Sequence, residues 1–228
     1  MTSIDRLTTL CPPPSPPTTP PTDWPAVERQ LGMPLPTDYK QIADTYGPGT
    51  FCGFIHLYHP HAHTPWTSLT GPMPTTIRAQ LQQERAQYSH PLPADPQDLF
   101  PMAVTDNGEY LFWVTRPATS PDQWTIAVNQ ARGFHWYSHD GTLAGFLTAV
   151  LSGQETVPLF PNSLLDHGAA FTPLIPAGTL TAEQPQPNST MAPSDDIRAW
   201  ARSHGYEVPD RGRIPAGILD AWQKANNS

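Results

Sequence analysis

The chain has 228 residues, 30 of them proline, with 14% charged side chains and a formal net charge of −8. DNA binding by bulk counterion release needs a basic surface, so any contact with DNA must rest on a few placed cations. Cys11 and Cys52 make no framework spacing, no stretch approaches the roughly 18 apolar residues of a membrane span, and no basic region followed by an apolar run opens the chain. A reduced, cytoplasmic setting without a membrane partner is expected.

In chain order, residues 1–22 contain Pro12-Pro13-Pro14-Ser15-Pro16-Pro17-Thr18-Thr19-Pro20-Pro21. This run predicts a disordered or polyproline II tail. Order is expected from Trp24. Trp24, Val27, Glu28 and Leu31 predict a short helix closed by Gly32. Pro36 opens a second, with Tyr39, Ile42, Ala43 and Tyr46 on one face and Gly47 at its end. Phe51 to Tyr58 reads as extended, and Ile77 to Arg85 as helical. Met102 to Val104 and Tyr110 to Val114 read as strands around the turn Asp106-Asn107-Gly108-Glu109. Trp124 to Val128 and Phe134 to Tyr137 add two more strands. Thr142 caps a closing helix with Leu143, Phe146, Leu147, Val150 and Leu151, and Gly153 follows it. The predicted class is α+β: early helices, an antiparallel sheet, a closing helix.

Several of these stretches resemble the SUKH superfamily, the Smi/Knr-type domains. They are Trp24-Pro25-Ala26-Val27-Glu28, Leu35-Pro36-Thr37-Asp38-Tyr39 and Tyr46-Gly47-Pro48-Gly49-Thr50-Phe51, then Asp106 to Trp113 and Leu143 to Leu147. The resemblance covers about residues 23–155. It implies a protein-binding module rather than an enzyme. Relatives include regulatory scaffolds and bacterial immunity proteins that neutralise nuclease toxins.

Leu159, Phe160, Leu164, Leu165 and Phe171 are apolar enough to pack back on this domain, which is therefore drawn as 23–175. Residues 176–193, including Pro185-Gln186-Pro187-Asn188-Ser189-Thr190, read as a flexible linker. Ser194 then caps a helix with Asp195 and Asp196 in its first turn and Ile197, Trp200, Ala201 and His204 at helical spacing. Gly205 ends it. After Arg211-Gly212-Arg213, Pro215 opens a second helix with Ile218, Leu219 and Trp222 on its apolar face. Residues 194–226 are thus predicted to form a small helix-loop-helix domain. Two arginines flanking a glycine can lie deep in a narrow, strongly negative minor groove.

Ile197 to Trp200-Ala201, His204-Gly205-Tyr206-Glu207-Val208 and Asp210 to Pro215 resemble the DNA-binding domain of the Lsr family of bacterial histone-like silencers. The resemblance implies binding to AT-rich double-stranded DNA, with Arg211, Gly212 and Arg213 as groove contacts and a nucleoid location. Arg198 and Arg202 stand in the first helix as flanking phosphate contacts; a solvated helix face is the competing reading for both. Trp200 and Trp222 read as a mini-core rather than as base-stacking residues. One departure matters. Silencers of this family join such a domain to an oligomerising N-terminal domain, and here another domain takes that place.

Other chemistry-bearing residues carry weaker patterns. His56, His59, His61 and His63 fall within eight residues, but Pro60 interrupts them and no nearby carboxylate or second cysteine completes a ligand set. A solvated or partly packed loop is expected, with no metal and no cofactor. His135 and His139 read as structural or surface residues, Asp166-His167-Gly168 as a loop, and Glu109 as a hairpin surface position. No nucleophile elbow, phosphate loop or zincin motif occurs. Two functions follow: a DNA-binding regulator whose SUKH-like domain holds a protein partner, or an immunity protein whose acidic domain binds a basic nuclease toxin.

Overall fold

A computed structural model describes residues 2–88, 90–174 and 200–204 of the chain. The chain divides into two compact units, Met1–Thr179 and Leu180–Ser228.

The first unit opens with helix α1, Ser3–Leu10. This corrects the expectation of a disordered tail over residues 1–22. Thr2 and Asp5 form a reciprocal capping box, so two of the helix's orphan amides are satisfied at once. Leu7 and Cys11 are fully buried in the main core, and the Tyr46 hydroxyl donates to the Cys11 carbonyl at 2.6 Å. The proline run begins only after that anchor. Its composition masked a short amphipathic helix in front of it.

Helix α2, Trp24–Leu31, is capped by Asp23 and closed by Gly32 at φ 69°, a left-handed conformation that glycine adopts without strain. Helix α3, Thr37–Tyr46, buries Tyr39, Ile42, Ala43 and Tyr46 on one stripe, as its spacing requires. The stretch read as a single extended segment is a hairpin: β1, Gly49–Phe51, and β2, Ile55–Leu57, with Cys52 and Gly53 turning at positive φ. Helix α4 spans Met73–Gln87. Strands β3, Leu99–Thr105, β4, Tyr110–Val114, β5, Thr125–Asn129, and β6, Trp136–His139, follow as an antiparallel meander. Helix α5, Leu143–Leu151, starts where the Thr142 hydroxyl accepts from the Gly145 amide.

The last strand, β7, Phe171–Pro173, returns to the sheet beside β1. A side chain at position 49 would meet Phe171 and the Thr172 carbonyl at under 3 Å, so this pairing requires Gly49. The result is one seven-stranded antiparallel sheet in the order β6-β5-β4-β3-β2-β1-β7.

The pleat of the central strands sorts residues to two faces. Phe100, Leu111, Trp113, Ile126 and Val128 face the main core, which includes residues of α1, α3 and α5. Leu99, Phe112 and Ala127 form a second cluster with Ile77 and Leu81 of α4. The sheet is therefore covered on both faces, and β3 and β4 are buried almost throughout. Phe160 closes the main core, with Leu159, Leu164, Leu165 and Phe171 packed against it, as their apolar character predicted.

Candidate nucleic-acid interface

Of the residues singled out for DNA contact, Arg202 lies in the described part of the second unit. Arg198, Arg211, Gly212 and Arg213 lie outside the described residues. Residues 200–203 are helical, and the His204 amide donates to the Trp200 carbonyl at 3.1 Å. Positions 200 and 204 share one face one turn apart, and their rings stack with centroids 4.5 Å apart. The Ser203 hydroxyl and the His204 Nδ1 both reach the Trp200 carbonyl, at 2.8 and 2.9 Å. Ala201 is buried and Arg202 exposed. Of the three residues spaced as an apolar face, Ala201 is buried, Trp200 is partly exposed and His204 is exposed.

Several polar side chains of the first unit are engaged by its own backbone. Asp122 accepts from the Thr37 amide at 2.6 Å and so caps α3 from a distant loop; Asp38 accepts from the Ala144 amide at 2.7 Å at the start of α5. Of the four histidines of residues 56–63, His56, His59 and His63 find separate partners, and the His61 ring lies 5.7 Å from that of His59. His56 pairs with Asp106 at 2.6 Å, and His63 reaches the Leu174 carbonyl at 3.0 Å. His59 is buried. Its Nε2–H donates to the Ala43 carbonyl at 3.2 Å, and its Nδ1 accepts from the His61 amide at 3.0 Å. That pattern is satisfied by the neutral ring. Burial pushes this imidazole down to about 4, against the opposing pull of the Ala43 carbonyl. Among the described residues no group of three or more potential ligands is placed to hold a metal ion.

Glu109 is buried, not on the hairpin surface as expected. Its carboxylate accepts from the Thr105 hydroxyl, and its own amide donates back to that hydroxyl at 3.1 Å. Across the turn, side chain and backbone thus satisfy each other, which is why an acid is tolerated there. His135 and the Asp166-His167-Gly168 loop are exposed.

A polar group that the linear sequence did not suggest lies between β6 and the segment after α5. Glu155 Oε1 accepts from the Tyr137 hydroxyl and from His139 Nδ1, the latter at 2.8 Å. Burial, then the Glu155 bond, pushes the Tyr137 phenol up to about 12, so it stays a donor. These residues are 16 and 18 positions apart, and no local motif joins them.

The first unit is thus an α+β domain built on a seven-stranded antiparallel sheet, and the second contains a helical turn within the stretch singled out for DNA contact. That stretch belongs to a match with known proteins: residues 190–225 fit the family model of the Lsr2 DNA-binding domain. The C-terminal segment is therefore of the Lsr2 DNA-binding type, and the match supports DNA as a partner and a nucleoid-associated role. Arg198, Arg202, Arg211, Gly212 and Arg213 all fall inside it. No solved structure matches the chain. Among the described residues no helix is long and apolar enough to cross a membrane.

Proposed function

We propose that this chain is a non-enzymatic DNA-binding regulator that recognises AT-rich DNA through the minor groove and carries a SUKH-like protein-interaction domain in front. The observation behind this reading is the match to the Lsr2 DNA-binding domain, which spans Arg211-Gly212-Arg213. The two guanidinium groups reach along the groove floor, and the glycine between them lets the backbone sit close. Arg198 and Arg202 contact flanking phosphates. Residues 194–228 hold five basic and five acidic side chains, so attraction depends on placement rather than on net charge.

The first unit has fourteen acidic and seven basic residues, a net charge of −7. That charge favours a second reading, an immunity protein whose acidic domain neutralises a basic nuclease toxin. The two readings separate on DNA selectivity. In a gel shift with the full chain, the regulator binds an AT-rich duplex in preference to a GC-rich one of equal length, and a minor-groove ligand of AT tracts displaces it. Equal binding to both duplexes, or none, contradicts the minor-groove reading.

A further inference from the structure

Behind the Glu155 group, the end of α5 and the turns that follow it line a pocket of about 200 Å³ that opens to the surface. Its walls include Val150, Val157, Phe160, Leu164 and Leu165, with Glu155 the one ionisable residue among them. A drug-sized ligand needs roughly 300–1,000 Å³. On the same measure a single water needs about 10–15 Å³. The space therefore suits one long side chain.

The carboxylate on this wall is oriented and half used. A carboxylate oxygen carries two acceptor sites. Those of Oε1 are taken by the Tyr137 hydroxyl and by His139 Nδ1–H, which lock the group in place. Oε2 has no hydrogen-bond partner among the described residues. The Glu155 side chain is only 22% exposed. A partly desolvated anion with an open oxygen beside a mostly apolar pocket selects a ligand with an apolar stem and a cationic head. Guanidinium suits it better than ammonium, because it is planar, always charged and more weakly hydrated.

We propose that this cavity is a docking socket for one arginine side chain presented by a protein partner, the stem against Val150, Val157, Leu164 and Leu165 and the head on Glu155 Oε2. The net charge of −7 on the first unit selects a basic partner in the same sense. The proposal rests on reading this unit as a protein-interaction domain and adds the place and the chemistry of the contact. It is independent of how residues 190–225 meet DNA.

The test is a titration of the isotope-labelled full chain with Nα-acetyl-arginine amide, followed by amide chemical shifts. Nα-acetyl-citrulline amide, the same shape without charge, is the control. Saturable shifts should centre on Gly153, Glu155, Val157 and Leu165, with citrulline at least about fivefold weaker. Glu155→Gln should weaken the arginine probe by a similar factor. Because that change also touches Tyr137 and His139, Asn162→Trp supplies a second variant: Asn162 is exposed, lines the cavity and leaves the Glu155 group intact. It should abolish the shifts while leaving the melting temperature unchanged. Equal response to arginine and citrulline, or shifts spread over the acidic surface and indifferent to Asn162→Trp, overturns the socket. If a purified basic partner still binds Asn162→Trp at full affinity, the socket is wrong but the protein-interaction reading of the domain survives.

Discussion

The two units use charged side chains in opposite ways. In Met1–Thr179 many of the carboxylates serve the fold: Asp38 and Asp122 hold the starts of α5 and α3, Glu28 pairs with Lys40, and Glu109 is buried against Thr105. In residues 194–228 acids and bases cancel, and the proposed DNA contact rests on a few arginines around one glycine. The contrast teaches that net charge is a poor guide to a DNA-binding chain when binding is local. An acidic domain in front should lower non-specific attraction, so that in the proposed reading selectivity falls to the placed arginines.

The largest break in this comparison comes from removing one side of it. A chain ending at Ala192 is expected to lose at least about 100-fold in affinity for an AT-rich duplex, measured by fluorescence anisotropy. Its main melting transition should persist, because the core clusters of the first unit lie upstream of that point. The converse break is Leu7→Ala. Leu7 is fully buried on α1, so the change should cost about 2–5 kcal/mol in a urea melt while DNA affinity of the folded chain stays put. If stability is unaffected, α1 is not part of the core.

A smaller effect follows from His59. Its imidazole titrates near 4 when folded and near 6.5 when unfolded. The folded state thus binds this proton more weakly. The contribution is complete above about pH 6.5 and is lost as pH falls toward 4, up to about 3 kcal/mol in all. Thermal melts across that window should show the loss, and His59→Gln should flatten it. An unchanged slope in the variant would assign the acid sensitivity to other groups. The smallest expected effect is Thr142→Ala, which removes the cap of α5 and should cost about 1 kcal/mol in the same melts.

What could be read from the sequence was mostly local. Helices α2, α3 and α5 followed from apolar spacing with Gly32, Gly47 and Thr142 at their ends, and β3, β4 and β5 from β-rich runs around turns. The misses were of two kinds. Helix α1 has its own local signals, the Thr2–Asp5 box and Ile4, Leu7 and Leu10 in step, but the proline run after it has the composition of a disordered tail. The pairing of β7 with β1 and the meeting of Glu155 with Tyr137 and His139 depend on contacts made only in three dimensions. Glu109 looked like a surface acid because its partner, the Thr105 hydroxyl, is supplied by the turn itself. For the DNA-binding segment the order is reversed. Arg211-Gly212-Arg213 was legible as a motif because it lies on one short stretch, whereas the group of Glu155 with Tyr137 and His139 is brought together from separate stretches and leaves no linear trace.

The proposed minor-groove contact rests on Arg211, Gly212 and Arg213. Anisotropy with an AT-rich duplex should show Arg211→Ala/Arg213→Ala binding at least about 100-fold more weakly than the parent, with the same circular dichroism spectrum. A double variant that binds that duplex as tightly as the parent contradicts it.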